Sequence, residues 1–375
     1  MIRAVDKWLP GYLASVWWRP RGVAGTRHLF FCVADHFEPL RGGGDPIAAR
    51  RAVATWVEEY RRVFADCRDA TGRPPRHTFF FPAEEYDREC LATLAVLCRE
   101  GYGEVEIHLH HRHDTAEGLH RRLTEFRDRL HQEHGLLGVD GAGRVRYGFV
   151  HGNWALCNAR PDGDWCGVND ELRVLRATGC YADFTFPSAP SPTQPRMVNA
   201  IYYAVERSGQ PRSADRGSVV RVGGGPPAEP PACLLIITGP LGLDWRNRKW
   251  GLLPRLENGA LTGRNPPTAR RVELWVRQGI HVRGRPDWVF VKVHTHGCVP
   301  ENRAALLGSA GRELHAYLQA QYNDGRRWRL HYVTGRELYN LVKAAEAGCT
   351  GAPDAWRDFE IGYAGDSGSR TRIRG

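Results

Sequence analysis

Buried-strand and helix patterns alternate along most of this chain, and that alternation limits the possible folds more than any other feature. The predicted strands span residues 27–35, 76–82, 103–110, 146–150, 180–186, 232–238, 287–296 and 327–334. The predicted helices span residues 45–67, 84–101, 115–135, 169–179, 300–321 and 335–347. A helix between two strands returns the chain to the same edge of a sheet, so this order predicts an α/β fold with a parallel sheet. Roughly seven strand–helix units favour a closed or nearly closed barrel over an open sheet.

Two stretches interrupt the alternation. Residues 206–231 are rich in Gly, Pro and Ser and predict a loop or a small hairpin, and residues 239–270 form a long insertion. Insertions of that length between barrel elements tend to shape a binding face. We therefore expect one barrel domain over residues 27–348, an N-terminal docking segment at residues 1–26 and a C-terminal tail at residues 349–375.

Charge and cysteine usage limit the partners and the compartment. Lys and Arg exceed Asp and Glu by 52 − 42 = 10, but the excess is spread thinly apart from "RNRK" at 246–249 and the C-terminal tail, so we expect no nucleic-acid partner. The 10 cysteines are scattered, and several lie inside apolar runs, as free thiols do in a reducing compartment. The first residues lack a continuous apolar signal core, and no run of 18 apolar residues occurs, so we expect a cytoplasmic protein.

The aromatic residues near the amino terminus leave two interpretations open. Residues 8–18 carry three tryptophans beside basic residues. Such a segment either docks on the domain or lies on a membrane surface, which would make the protein membrane-peripheral.

Side chains that bind metals collect at the ends of the predicted strands. They are Asp35, His36 and Glu38; Glu106, His108, His110, His111, His113 and Asp114; His151 and Asn153; Asp244; and His294 and His296. Loops after parallel strands meet at one face of a barrel, and alternate residues of a strand share a face, so we expect several of these side chains to converge. Imidazoles and carboxylates together are the usual ligands of zinc, so the pattern predicts one divalent metal ion, zinc by preference.

The order of these motifs resembles the polysaccharide deacetylase superfamily, the NodB-homology fold of family 4 carbohydrate esterases. The motifs that carry the resemblance are "ADHFEP", "EIHLHHRHD", "FVHGNW", "LDW" and "VFVKVHTH", which occur in the family's order between residues 28 and 296. The resemblance implies a distorted (β/α)7 barrel of the NodB type with loop insertions, and a divalent metal held by one Asp and two His.

The resemblance also implies ligands and a general acid. Asp35 stands at the place of the family's metal-binding Asp, His110 at that of the first histidine, and Asp114 at that of the second. His108 is an alternative ligand, and we expect His111 and His113 to lie on the surface. His294 or His296 takes the place of the general acid.

The sequence departs from the family at the general base. Ala34 stands where the family has a basic Asp, and His36 or Glu38 is the candidate replacement. The arginine of the third motif, which orients the base in the family, is absent. His151 and Asn153 occupy its neighbourhood, and His151 is a further catalytic candidate.

These residues predict a metal-dependent hydrolase that removes an acyl group, N-acetyl by preference, from a glycan or an acylated sugar precursor. Asn153, Trp154, Asp244 and Trp245 are the expected substrate contacts. One alternative is a glycosidase or lyase, which needs two carboxylates such as Asp35 or Glu38 with Asp244. Another is a catalytically degenerate barrel that only binds glycan, which the loss of the usual base favours.

Overall fold

A mixed sheet of thirteen strands forms the centre of the protein, and a separate pair of strands lies beside it. The computed structural model describes residues 4–228 and 232–363. The strands are β1 (Arg27–His36), β2 (His77–Pro82), β3 (Gly103–Leu109), β4 (Gly138–Asp140), β5 (Val145–His151), β6 (Cys180–Asp183), β7 (Ile201–Val205), β8 (Gly217–Val219), β9 (Cys233–Ile237), β10 (Gly242–Lys249), β11 (Leu253–Glu257), β12 (Ala260–Leu261), β13 (Trp288–Thr295), β14 (Trp328–Tyr332) and β15 (Ile361–Tyr363). The helices are α1 (Val5–Trp17), α2 (Pro46–Phe64), α3 (Arg88–Arg99), α4 (Ala116–His134), α5 (Glu171–Ala177), α6 (Ala269–Arg277), α7 (Pro300–Leu307), α8 (Ser309–Tyr322) and α9 (Gly335–Glu346).

The main run of the sheet is parallel. Its order is β12-β13-β1-β2-β3-β5-β6-β9, and β7 and β8 continue it in antiparallel pairing. Strand β1 is central, because it pairs with β13 along its length and with β14 and then β2 on its other edge. The predicted α/β fold with a parallel sheet is confirmed. Its closure into a barrel stays a prediction, since no ladder among the described residues joins β12 or β13 to β7, β8 or β9.

A hydrophobic core covers each face of the sheet. The alternation of side chains along a strand decides which of the two cores a residue joins. Leu29, Phe31 and Val33 of β1 pack in the core that includes Trp56 of α2. Their neighbours Phe30, Cys32 and Ala34 point the other way, into a core shared with Phe80, Val150 and Leu338 of α9. Strands buried on both faces read as continuous apolar runs, as the β1 sequence does. The second of these faces is called the inner face below.

The helices begin where the sequence supplies caps. The Asp45 carboxylate accepts hydrogen bonds from the backbone amides of Ile47 and Ala48 at the start of α2. Thr115 caps α4 in the same way, and Thr334 and Glu337 form a reciprocal capping box at the start of α9. These caps satisfy amides that have no partner within the helix.

The two flanks of the parallel run approach each other. A Cβ on Gly239, directly after β9, would lie 2.3 Å from the carbonyl oxygen of Lys292 in β13. The Lys292 ammonium is buried and donates hydrogen bonds to the carbonyls of Phe184 and Phe186, which follow β6. Only glycine permits so close a backbone approach. Gly239 therefore allows the β9 and β13 flanks to meet without a hydrogen-bonded strand pairing between them.

Several segments differ from the prediction. Residues 206–231 include the hairpin strand β8, but the sequence reading missed its partner β7. The insertion at 239–270 holds the β10–β11 hairpin and β12, and helix α6 at its end was not predicted. The predicted helix at 300–321 is broken into α7 and α8 at Gly308.

The terminal segments pack on the domain where they are described. Helix α1 buries Trp8 and Tyr12 against Ala189, Val198 and Leu241. In the predicted tail, β15 pairs with β4, and residues 364–375 lie outside the described residues. None of the described helices combines the length and apolar character needed to cross a membrane. All 10 cysteines lie within the described residues, and none is disulfide-bonded.

Candidate functional site

Three buried side chains meet at the carboxyl end of the parallel strands. His36 is the last residue of β1, Glu38 follows two residues later, and His108 lies at the end of β3. One ligand atom from each lies within 4.8 Å of the other two. His36 and His108 both extend the inner face, because they share the alternation of Ala34 and Glu106. This group is called the inner-face cluster.

The hydrogen bonds of His108 leave a lone pair directed at a carboxylate. Its Nδ1 lies 2.7 Å from the carbonyl oxygen of Val150, which can only accept, so Nδ1 carries the proton. Its Nε2 lies 3.2 Å from Glu38 Oε1. In a neutral ring both of these atoms are acceptors, so the contact is stable only with a cation, a proton or a metal, between them.

Two further histidines border the cluster on its open side. His296 Nδ1 lies 3.0 Å from Glu38 Oε2, and His110 Nε2 lies 3.3 Å from Glu38 Oε1. His110 also holds Glu84, whose Oε1 is 2.5 Å from its Nδ1. Both imidazoles are partly exposed, at 23% and 27% of their side-chain surface. A ligand in the open space can therefore reach these two imidazoles beside the cluster.

The surroundings of these groups favour the charged forms of Glu38 and His110 and the neutral form of His36. Burial opposes ionisation of Glu38, but its interactions with His108 and His296 outweigh burial and hold the pKa of Glu38 well below its usual range. Burial and the neighbouring His296 and His108 lower the pKa of His36 well below its usual value. Burial also opposes the charge of His110, yet its hydrogen bond with Glu84 raises the pKa of His110.

His294 lies deeper on the inner face, in β13. Its ring centroid is 6.5 Å from that of His36. Burial, and then the charge of Lys292, lower the pKa of His294 to about 3, so the ring is neutral at physiological pH. Of the two candidate general acids, His296 contacts the cluster directly and His294 does not hydrogen-bond to it within the described residues.

An open cleft of about 580 Å³ leads to the cluster. Its lining includes Glu38, Arg41, Glu84, Glu85, Tyr86, His110, Asn153 and Trp165. Burial, and less strongly the nearby carboxylates, raise the pKa of Glu85 to about 7. The size is that of small-molecule sites, and the lining combines aromatic surface with polar groups.

A second buried group lies on the other side of β5. It consists of His111, His151, Cys166 and Glu171, whose ligand atoms all lie within 4.8 Å of one another. Asp114 contacts the group through His111, with 3.1 Å between its Oδ2 and the ring Nδ1. The prediction that His111 lies on the surface is wrong, because the side chain is buried, whereas His113 is 73% exposed as expected.

The predicted ligand set of Asp35, His110 and Asp114 is not assembled among the described residues. Asp35 points to the helix side of β1, because it alternates with His36, and its carboxylate contacts His77 Nε2 at 2.8 Å and the Gly297 amide at 2.6 Å. Asp114 is held by His111 and Arg122 instead. His151 ends β5 on the same side as Asp114, away from the inner-face cluster, so the structure separates it from the other catalytic candidates.

The predicted substrate contacts fall in two places. Asn153 lines the cleft, and Trp154 follows it; both residues adopt positive φ, at 53° and 54°. Asp244 and Trp245 lie instead on the β10–β11 hairpin. Asp244 is paired with Arg270, at 3.2 Å, and Trp245 is 55% exposed. Neither lines the cleft, so Asp244 is not placed opposite Glu38 as a two-carboxylate mechanism requires.

The sequence reading missed several residues that the fold brings to these sites, among them Glu84, Trp165, Cys166 and Glu171. Glu84 lies in the short helical turn directly after β2, where a strand-end search could have found it. The other three belong to the long connection after β5 and to the first residue of α5, and no motif or spacing marks them.

Compared with known proteins, the chain matches no family model and no curated protein.

Proposed function

We propose that this protein is a metal-dependent hydrolase that removes an acyl group, N-acetyl by preference, from a glycan or an acylated sugar precursor. The observation that carries the proposal is the convergence of His36, Glu38 and His108 at the inner end of an open cleft. These three side chains would hold the divalent ion, and zinc suits two imidazoles with one carboxylate.

The donor chemistry of the cluster fits a divalent cation. His108 presents a lone pair to the Glu38 carboxylate at 3.2 Å, and a cation between them resolves that contact. No described residue hydrogen-bonds to the ring of His36, so its lone pair is available. A divalent ion bound there would polarise an acyl carbonyl and lower the pKa of a water molecule.

The residues around the cluster can move the protons of the reaction. His296 is hydrogen-bonded to Glu38 and is partly exposed, so it can give a proton to a leaving amine and then regain it. The Glu84 carboxylate supports a proton on His110 at the opposite rim. His296 would thus carry the proton transfer for which the family uses the Asp replaced here by Ala34.

The walls of the cleft suit a sugar. Trp165 and Tyr86 offer ring surface, and Asn153 and Arg41 offer hydrogen-bond donors. Arg41 lies 3.6 Å from Glu38, so a substrate carboxylate or phosphate could also reach it.

We also propose that the sheet is the distorted (β/α)7 barrel of the polysaccharide deacetylase type. The contact between Gly239 and Lys292 supports this architecture, because it brings the β9 and β13 flanks together. A closed barrel would also explain why the inner-face cluster draws on the ends of β1 and β3 and lies beside His296, which follows β13.

We also propose the compartment of the protein and a second partner besides the glycan. The buried free thiols of Cys32, Cys98 and Cys180 support a reducing cytoplasmic compartment. Helix α1 exposes Leu13, Trp17 and Trp18, and the β10–β11 hairpin exposes Trp250 beside Lys249, so contact with an anionic membrane surface is the partner we propose besides the glycan.

The test is release of free carboxylate from acylated sugars. Purified protein loaded with zinc is incubated with N-acetylglucosamine oligomers and with acetylated sugar nucleotides, and acetate is measured. We expect release that chelation abolishes and zinc restores. Glu38→Gln should reduce kcat by about 100-fold or more, since it removes a metal ligand and the carboxylate that holds His296.

A matched control replaces an imidazole of the same segment outside the cluster. His113→Ala changes an exposed side chain and should leave the rate within twofold of the parent. If zinc-loaded protein binds acylated oligomers but releases no acetate from any of them, the hydrolase proposal fails and the glycan-binding alternative replaces it.

A further inference from the structure

The second buried group, on the helix side of β5, offers four ligand types in one place. His111 lies in the loop after β3, His151 ends β5, Cys166 lies in the connection after β5, and Glu171 begins α5. All four are buried, and their ligand atoms lie within 4.8 Å of one another. We propose that His111, His151, Cys166 and Glu171 bind a structural zinc ion, separate from the metal of the inner-face cluster.

The two imidazoles present their lone pairs to each other. His111 Nδ1 lies 3.1 Å from the Asp114 carboxylate, and His151 Nδ1 lies 2.6 Å from the carbonyl oxygen of Gly152. Both partners only accept, so both Nδ1 atoms carry protons. The two Nε2 atoms are then lone pairs 2.8 Å apart, an arrangement that requires a cation. Carboxylates and carbonyls that fix the outer nitrogen are typical of metal-binding histidines.

Glu171 aims an unpartnered oxygen into the same space. Its Oε2 accepts a hydrogen bond from the Cys157 amide at 2.6 Å. Its Oε1 lies 3.3 Å from both histidine Nε2 atoms, yet it accepts no hydrogen bond from any described residue. The side chain is fully buried. A buried carboxylate oxygen without a donor is costly, and a metal ligand bond removes that cost.

Cys166 completes the set and balances the charge. Its Sγ lies 3.5 Å from Glu171 Oε2, and the Val168 amide donates to the sulfur at 3.4 Å. Zinc binding would release the thiol proton to solvent, leaving a thiolate. The two positive charges of zinc then match one thiolate and one carboxylate, so the buried group is neutral.

The spacing needs only a small adjustment. Zinc–nitrogen bonds of about 2.0–2.1 Å in a tetrahedron place ligand nitrogens about 3.3 Å apart. The contacts of Glu171 Oε1 already have that length, and the two Nε2 atoms would separate by about 0.5 Å. Four protein ligands in a closed site leave no open position, which is the mark of structural zinc rather than catalytic zinc.

The ion would hold a connection that has little regular structure. Between β5 and α5, five residues other than glycine adopt positive φ: Asn153, Trp154, Cys157, Asn158 and Trp165. Such backbone persists only where its surroundings fix it. Asn153 and Trp165 also line the cleft, so a zinc ion behind them would fix that wall.

The alternative to a zinc ion is an extra proton on His111. The protonated ring would then donate a hydrogen bond to His151 and pair with Glu171. Reconstitution with cobalt(II) separates the two, because a cobalt–thiolate bond gives a charge-transfer band in the near ultraviolet. The full chain is stripped of metal and reloaded with cobalt. We expect the band in the parent protein and its loss in Cys166→Ser. Cys298→Ser, in the loop after β13, is the matched control and should keep the band.

Each of these results either supports or rejects the proposed zinc site. No thiolate band in reloaded parent protein, or a band that persists in Cys166→Ser, overturns the zinc site. Should Cys166→Ser fail to fold, X-ray absorption of the zinc-loaded parent replaces it: a sulfur neighbour at about 2.3 Å supports the site, and a shell without sulfur rejects it. Glu38→Gln should keep the band, which separates this result from the hydrolase proposal.

Discussion

The contacts of a single residue in this protein depend on the side of the strand from which its side chain projects. Asp35 and His36 are neighbours in sequence, yet Asp35 contacts His77 and the Gly297 amide, and His36 joins Glu38 and His108. Alternation of side chains along β1 is sufficient to explain this. A motif match that is displaced by one residue therefore assigns a ligand to the wrong face.

Lys292 shows how strongly one buried side chain can couple the flanks of the sheet. Its ammonium donates to the carbonyls of Phe184 and Phe186, and burial lowers the pKa of Lys292 to about 8. We expect Lys292→Met to lower the free energy of unfolding by about 2–3 kcal/mol, because two buried carbonyls lose their donor. Urea denaturation measures this, and Lys249→Met, in the exposed hairpin, should change it by less than about 0.5 kcal/mol. Equal effects of the two variants would refute the role of Lys292.

His331 makes the stability dependent on pH. Burial lowers its pKa to about 3, so the folded state keeps the ring neutral while the unfolded chain takes up a proton below about pH 6.5. The contribution is therefore complete above that pH and is lost as pH falls toward 3. We expect unfolding to become easier by about 2 kcal/mol from pH 7 to pH 5 through this residue.

Replacement of the ring removes that titration, together with the contact between His331 Nε2 and His28 Nδ1, which lie 2.9 Å apart. His331→Phe keeps a ring beside Phe30, which stacks on His331 at 5.1 Å, but removes the titration. Its unfolding free energy should fall less between pH 7 and pH 5 than that of the parent. The same fall in both proteins would show that other groups control the acid sensitivity.

At the scale of elements, helix α9 is fixed by its cap. The Thr334 hydroxyl accepts from the Glu337 amide, and the Glu337 carboxylate accepts from the Thr334 amide at 3.0 Å. Thr334→Ala should lower the unfolding free energy by about 1–2 kcal/mol, since a buried cap is lost. Thermal unfolding can compare it with Thr55→Ala, an exposed position within α2. A Tm loss no larger than that of Thr55→Ala would contradict the capping account.

Helix α1 tests the proposed membrane contact. Trp17 is 76% exposed, next to Trp18 at 56%. Trp17→Ser should weaken cosedimentation with vesicles that contain phosphatidylserine by several-fold, because the indole partitions into the interface. Val96→Ser, at an exposed position of α3, is the matched apolar control. Absence of binding by the parent protein to any anionic vesicle would discard the membrane contact.

The elements were more predictable than the ligands. Apolar runs and caps located the main parallel strands and helices such as α2, because those signals are local. The structure does not bring Asp35 and Asp114 together with His110, because the alternation along β1 turns Asp35 to the helix side, and His111 and Arg122 hold Asp114. Cys166 and Glu171 could not be found, because their proximity to His111 depends on the path of a long connection rather than on spacing.

The whole molecule brings two groups of potential ligands to opposite faces of the sheet. The inner-face cluster opens to a cleft, whereas the group at His111, His151, Cys166 and Glu171 is closed. An open site is suited to chemistry and a closed one to structure. In this account the sheet positions the reacting groups, and the connection after β5 forms the wall that meets the substrate.

The most direct test of the account is an anomalous diffraction map collected at the zinc absorption edge from crystals grown with zinc. We predict a peak bounded by His36, Glu38 and His108 at the carboxyl end of β1 and β3. A peak at Cys166 would support the structural zinc site but would leave this central claim undecided by itself. If zinc-saturated crystals show no anomalous density among His36, Glu38 and His108, that result would contradict the proposal of a metal-dependent hydrolase.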